Sequence, residues 1–460
     1  MKKGIFLLLL IFAFVSCSDS DTTVPDDTSD STTNPEEEET VVDTLTDEEL
    51  MDYVQEETFK YFWDLGDSNS GCARERYTSS NSSQSEHVVT TGGTGFGIMA
   101  ILVGIERGFI TRQEGVERLT TILNFLENAD RFHGAWPHWI HGVTGVTIPF
   151  STYDDGADIV ETSFLTQGLV CVKEYFKDGS TNEIALADKA DVLWKGVEWD
   201  WFTNGGDVLY WHWSPNYDFQ IGLEIRGYNE CLITYVMAAS SPDYSIATSV
   251  YENGWASAGG IISSNTRYGY PLYLNHVGAN YGGPLFWAHY SYLGLNPQNL
   301  TDQYAASYWD VNVNHTMVNY TYCVENPLGY KDYGEDCWGL TASYSRNTDG
   351  TLGYSAHKPE NDLGVISPTA AISSIPYTPQ ESLEAMHYFY SHKDDLVGEA
   401  GFYDAFSPEY YFWVAKAYLA IDQGPQIIMI ENYRTGLLWH LFMQNTDIQN
   451  GLTNLGFSYE

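Results

Sequence analysis

The chain has 460 residues, with 62 acidic against 21 basic side chains and a formal net charge of −41. That charge repels nucleic acids and polyanionic polysaccharides, and so few Lys and Arg leave no basic patch to offset it. Aromatic residues make up 15% of the chain, with 14 Trp and 34 Tyr, which favours a neutral partner gripped by ring faces.

Lys2 and Lys3 precede an apolar run at 4–15, the layout of a signal peptide and too short to span a bilayer comfortably. Phe14-Val15-Ser16-Cys17 follows a bacterial lipobox, so residues 1–16 are expected to be removed and Cys17 to carry lipid. An ordinary secretory signal is the alternative, and both take the mature chain out of the cytoplasm. Residues 17–45 are rich in Asp, Glu, Ser, Thr and Pro, with an unbroken Glu run at 36–39. Such a stretch cannot bury enough apolar surface to fold and reads as an extended acidic tether. Asp19 and Asp21 resemble export tags of surface lipoproteins. The expected location is therefore the outer membrane, on the cell surface or its periplasmic face, with a membrane attachment through Cys17.

Residues 46–460 read as one domain. Thr46 and Glu49 form a capping box ahead of Leu50, Tyr53 and Val54, and Thr111 with Glu114 repeats it. Between them, 95–105 is almost wholly apolar, as a buried wall helix would be. Further helices are expected at 155–176, 184–199, 228–240, 284–293, 305–324, 381–390, 408–421 and 426–444. Strand patterns are short, at 208–213 and 268–274. About a dozen helices alternating between buried and amphipathic, with no solenoid repeat, predict an all-α (α/α)6 barrel with short strands in loops. In such a toroid the loops at one end form a groove.

Cys171 and Cys231 lie in apolar stretches and read as buried thiols. Cys323 and Cys337 are spaced for a short-loop disulfide. His133, His138 and His141 are interrupted by Trp136, Pro137 and Trp139, a loop composition rather than a zinc site. With no P-loop, dinucleotide fingerprint or GxSxG, no metal or cofactor is expected. A monomer is expected.

YDDGADIVE at 153–161 spaces Asp154, Asp158 and Glu161 at i, i+4 and i+7, one face of a helix. Three like charges so placed repel unless something uses them; the alternative is an acidic helix start. With this segment, three loop islands make a set of four: 133–139, 210–217 with 225–230, and 401–406. They mix rings with hydroxyl-binding groups and nominate Trp136, His138, Trp139, Trp211, His212, Trp213, Tyr217, Arg226 and Tyr228 for substrate contact. Glu230 stands before an apolar helix, where burial raises a carboxyl pKa and suits a general acid. Asp404 is a second, remote candidate, or else a cap for a helix after Pro408. Glycoside hydrolysis needs an acid and a second group. Glu230 supplies the first, and Asp154, Asp158, Glu161 or Asp404 the second.

Several ungapped blocks resemble glycoside hydrolase family 144, the glucoamylase-like β-1,2-glucanases. They are TGGTGFGIMAILVGIERGFITRQEGVERL at 91–119, HGAWPHW at 133–139, PFSTYDDGADIVETSFL at 149–165, LYWHWSPNY at 209–217, IRGYNECLITYVMAASSP at 225–242 and GFYDAFSPE at 401–409. The resemblance implies an (α/α)6 barrel and inverting hydrolysis of β-1,2-glucan, endo-acting or releasing sophorose. It implies functional acids at Asp154, Asp158, Glu161, Glu230 and Asp404, with Glu230 the acid. Competing readings are a glucanase for another neutral glucan, a non-catalytic glycan-binding surface lipoprotein, and a polysaccharide lyase, which the shortage of basic residues disfavours.

Overall fold

Thr46 and Thr111 each open a helix through the reciprocal contacts the sequence predicts. Each hydroxyl accepts from the amide three residues on, and Glu49 or Glu114 reaches back to the cap. The computed structural model describes residues 45–83 and 85–459. Residues 1–44, which hold the expected signal segment, Cys17 and nearly all of the tether, lie outside the described residues. No helix among the described residues is long and apolar enough to cross a membrane.

The helices form two layers. The inner ring runs through Thr91–Glu106, Ile159–Phe176, Leu232–Ser240, the 3-10 turns Leu285–Ala288 and Tyr290–Tyr292, Pro368–Ile372 and Ala420–Arg434. Nearly every residue of these segments is buried. The outer layer holds Asp47–Trp63, Arg112–Asn128, Thr181–Lys195, Thr248–Asn253, Tyr308–Glu325 and Pro379–Ser391. The longer of these bury one apolar stripe and expose the rest. The architecture is the helical toroid the pattern predicts.

Close approach in the inner ring is a glycine effect. A Cβ on Gly168 would stand 2.5 Å from the Gly95 carbonyl oxygen, so helices Thr91–Glu106 and Ile159–Phe176 meet backbone to backbone. The ring closes through His289 to Ser374 Oγ at 3.0 Å and Tyr377 Oη donating to Ala288 O at 3.0 Å.

Each outer helix returns the chain to the same end before the next inner segment, so the inner segments begin together. Hydrogen bonds tie these starts to one another. Ser163 Oγ meets Thr234 Oγ1 at 2.9 Å, and Thr369 Oγ1 donates to Asp422 O at 2.7 Å. The N-termini of the longer inner helices bring partial positive charge to this end, where acidic side chains collect. Small strand pairs gather here too: Arg76–Thr78 with Ala417–Leu419, and Ala157–Asp158 with His212–Trp213.

Several boundaries differ from the sequence pattern. The expected helix at 408–421 is a short 3-10 turn, Pro408–Tyr410, followed by strands Trp413–Val414 and Ala417–Leu419. Tyr411 and Phe412 take positive φ there, which ends helical continuation. The next helix starts early, at Ala420, and carries Pro425 in its second turn. The stretch 426–444 is two helices, broken where Gly436 adopts positive φ. Inner helix Pro368–Ile372 has no sequence signal: five residues with small side chains show no period. Cys72, Cys171, Cys231, Cys323 and Cys337 are all buried free thiols, so the short-loop disulfide is not formed.

Candidate active site

The 153–161 segment reaches the groove as a turn and a strand, not as a helix face. Ser151 and Asp154 pair as an isolated bridge, and Ala157–Asp158 lies against His212–Trp213. The helix starts only at Ile159, because Asp158 caps it: Oδ1 accepts from the amides of Val160 at 3.0 Å and Glu161 at 2.9 Å. The three carboxylates therefore come from a turn, a cap and a first helical turn.

Asp158 is wholly buried. Its Oδ2 accepts from Trp211 Nε1 at 3.1 Å and pairs with His138 Nδ1 at 3.1 Å, while His212 Nε2 stands 3.7 Å away. Burial opposes its charge, but the His138 hydrogen bond, the imidazoles and the cap amides outweigh it and hold the pKa below the usual carboxylate value. With four hydrogen bonds accepted, Asp158 is an ionised keystone with no lone pair left for a substrate.

Glu161 is held from the first inner helix. Its Oε2 accepts from the Gly92 amide at 2.8 Å and Thr90 Oγ1 at 3.2 Å, which leaves Oε1 toward the groove, 4.0 Å from His138 Nε2. Burial raises its pKa against the pull of His138. Asp154 has His212 Nε2 as its nearest cationic-type partner, at 3.5 Å. Burial, then the charge of Asp158, pushes its pKa up to about 7. Glu230 sits two residues before helix Leu232–Ser240, its carbonyl accepting from Ser291 Oγ. Burial, reinforced by Glu161 and Asp158, pushes its carboxyl up to about 7.

His138 completes the cluster. Burial disfavours its charge, yet Glu161, Asp158 and Asp154 raise its pKa to about 9. His212 is shifted the other way by burial. At neutral pH the site thus holds a fixed Asp158–His138 ion pair beside two carboxyls poised to give or take a proton. His138, Asp154 and Asp158 bring possible ligand atoms within 4.8 Å of one another. Both oxygens of Asp158 are already spent on protein donors, and His138 pairs with it through Nδ1. The donor set has the chemistry of an ion pair.

Beside this cluster lies a cleft of about 330 Å³. Glu161, His138, Trp139 and Phe150 line one wall, and Tyr344 and Tyr354 the other. Phe150 stacks on His138 at 4.3 Å. Asp404 lies behind the Tyr344 wall, 2% exposed, with Oδ2 accepting from the Tyr344 amide at 2.6 Å. Burial raises its pKa to about 6.

A family model described as "Putative glucoamylase" matches residues 222–446. The endo-β-1,2-glucanase from Chitinophaga pinensis, solved with sophorotriose and glucose, is 53% identical with a TM-score of 0.86; the match covers 90% of this chain and 99% of that one. The chain belongs to glycoside hydrolase family 144. The exo β-1,2-glucooligosaccharide sophorohydrolase of Parabacteroides distasonis is 45% identical over 434 residues, 89% of this chain. The chain spans 58% of the length of that relative. The endo-β-1,2-glucanase of Talaromyces funiculosus, solved with sophorose, shares the fold at 12% identity and a TM-score of 0.65, over 89% of this chain and 90% of its own.

Within this family 144 groove the sequence-nominated contacts divide. Trp139, His138, Trp211 and His212 stand at the carboxylate cluster or its cleft. Trp213 packs against His133 and Trp201, and Tyr217, 44% exposed, meets Tyr153 edge-on at 5.0 Å. Two nominations are corrected. Trp136 is wholly buried, its indole donating to Leu126 O and its face covered by Arg131, so it is core. Tyr228 is wholly buried and its hydroxyl donates to Asn312. Arg226 is tied to Glu224 and the Asn253 carbonyl. Gly92, Phe150, Tyr344, Tyr354 and Asp422 were not nominated. Gly92 and Phe150 lay inside recognised blocks, but a glycine and a lone ring carry no charge signal. Tyr344 and Tyr354 come from a hairpin whose position only the fold reveals.

Proposed function

We propose that the chain is a glycoside hydrolase that cleaves β-1,2-linked glucan, with Glu230 as proton donor. The observation that carries the reading is the hydrogen-bonded Asp154–Asp158–Glu161 cluster beside the cleft, near enough to Glu230 for the charges of Glu161 and Asp158 to raise its pKa. The 53%-identical Chitinophaga enzyme supports the substrate class. Protonated Glu230 gives its proton to the glycosidic oxygen as the C1–O bond breaks, and a carboxylate takes a proton from the water that attacks C1. Asp158 has no free lone pair for this task and Asp404 is buried behind the Tyr344 wall, which leaves Asp154 or Glu161 as the base. Trp139 and Phe150 offer ring faces to the sugar, and the Asp158–His138 pair fixes the cluster without reorganisation during the reaction.

Incubation with linear β-1,2-glucan tests this reading. Sophorose-series products are expected, and their length distribution separates endo cleavage from exo release. Turnover of another neutral glucan with none of this one would overturn the substrate. Glu230→Gln is expected to lower kcat by about 10²–10⁴ while glucan binding persists. A non-catalytic glycan-binding role predicts no product at all and no dependence on Glu230.

The amino-terminal layout supports export: we infer removal of residues 1–16, lipid on Cys17 and an acidic tether to a monomeric domain at the outer membrane. Cys17→Ser is expected to move the protein from the membrane fraction to the soluble one, and unchanged fractionation counts against the anchor. Size-exclusion chromatography checks the monomer.

A further inference from the structure

Two adjoining hollows of about 610 Å³ each share Gln298, and neither touches the carboxylate cluster. Asn432, Thr435 and Gly436 line the first. They sit at the C-terminal end of inner helix Ala420–Arg434, whose first turn carries Asp422 at the groove end. Ten to fourteen residues at 1.5 Å each put the hollows roughly 15–20 Å away, at the opposite mouth of the toroid.

Their chemistry is unlike that of the clefts lined by Glu117 and Lys189, by Glu198 and Asp200, or by Glu161. In a chain of net charge −41, no Asp, Glu, Lys or Arg occurs among the described lining residues. Amides and indoles take their place. The side chains of Gln298, Gln444 and His440 line the hollows. None of these three side chains makes a hydrogen bond to another described residue. Trp439, 4% exposed, underlies the first hollow, its indole donating to Tyr292 O at 2.7 Å. Partly exposed Trp309 stands against it, ring centroids 6.3 Å apart.

We propose that these hollows are a second, non-catalytic binding site for a neutral oligosaccharide, a stretch of the same glucan chain. A charged ligand finds no counter-charge here. A polyol finds amides that each donate and accept, beside the partly exposed Trp309 ring, a surface of the kind that sugar rings cover. One polymer chain held at both mouths raises the effective concentration at the catalytic groove. The proposal rests on the glucan-hydrolase reading for the identity of the sugar.

Affinity electrophoresis in gels with and without linear β-1,2-glucan tests it, alongside kinetics on the polymer and on sophorotriose. The probes are the double variant Gln298→Glu, Gln444→Glu, which places charge at the solvent-facing hollows, and Trp309→Ala. The double variant is expected to lose at least about half of the glucan-dependent retardation and to raise polymer KM about threefold. Its kcat on sophorotriose is expected to stay within about twofold. Retardation and polymer KM equal to wild type in both variants overturn the site. If β-1,2-glucan is not cleaved, gels with dextran and laminarin separate the two failures. Retardation by either that the variants lose upholds the site while the substrate reading fails, and no retardation by any of the three glucans overturns the site.

Discussion

The Gly92 amide donates to Glu161 Oε2 at 2.8 Å, and a Cβ on Gly92 would stand 2.6 Å from that same oxygen. The contact joins two inner helices and fixes the Glu161 carboxylate, whose Oε1 is left toward the groove. Gly92→Ala must displace Glu161 or the Phe164 ring, which lies 2.9 Å from the same point. Overpacking of this kind costs about 1–3 kcal/mol, and a shift of about 1 Å at a reacting group costs about 10² in rate. The variant is expected to fold, with a lowered midpoint and kcat down by about two orders of magnitude. Thermal melts and steady-state kinetics check both. Wild-type kcat would show that Glu161 is not positioned through Gly92.

Glu230 sets the alkaline limb. A donor must be protonated, so kcat is expected to fall as pH rises through about 7, the value to which burial pushes Glu230. The same shift has a stability sign. A carboxyl whose folded pKa is raised contributes stability that is present below its unfolded pKa, near 4, and lost as pH rises through about 7. Glu230→Gln cannot ionise. It is expected to melt higher than wild type at pH 8 and with wild type at pH 4, while losing activity at both. Equal melting shifts at the two pH values would refute a buried, titrating Glu230.

Asp158 sustains the charge of His138. Asp158→Asn keeps an oxygen to cap helix Ile159–Phe176 but removes the carboxylate that pairs with Nδ1 at 3.1 Å. Burial then weighs against a positive ring with less to oppose it, and His138, raised to about 9 in the native site, is expected to titrate well below that. NMR of the labelled imidazole reads the shift directly, which a merely structural defect would not produce. Loss of the ion partner from a buried pair is expected to cost about 3–5 kcal/mol. Asp158→Ala, which also loses the cap, should cost about 1 kcal/mol more.

The toroid was legible because its longest inner helices are apolar all round and three of its outer helices carry capping boxes. Both are local signals. What lay hidden was set by tertiary contact. The 153–161 acids have helical spacing, yet Asp158 turns its carboxylate back on Val160 and Glu161 and starts the helix there. Trp136 and Trp139 are three residues apart with identical side chains. One is covered by Arg131 and the other lines the cleft, a division that depends on which neighbours fold over each ring. Tyr344 is remote in sequence from every acid it approaches, so only the closed ring places it.

Asp404 and Asp422 make the remaining acid pair, and its ionisation is separable from that of the groove cluster. They are 2% and 1% exposed, and Asp404 Oδ1 and Asp422 Oδ2 have no donor among the described residues. Burial pushes both pKa values up, Asp404 to about 6, and the Asp404 charge pushes Asp422 further. Each carboxyl shifts the ionisation of the other, so the pair is expected to hold one proton between them. The sign follows from the raised values: the stability that the pair contributes is full below about 4 and drains as pH rises through 6 and beyond. Asp422→Asn replaces the second acid with an amide that donates to Asp404, so only one group remains to ionise. Its urea midpoint is expected to fall less steeply than wild type between pH 6 and pH 9, with the two curves converging in acid. Parallel curves across that range would mean that no proton is shared, and that Asp404 ionises alone behind the Tyr344 wall.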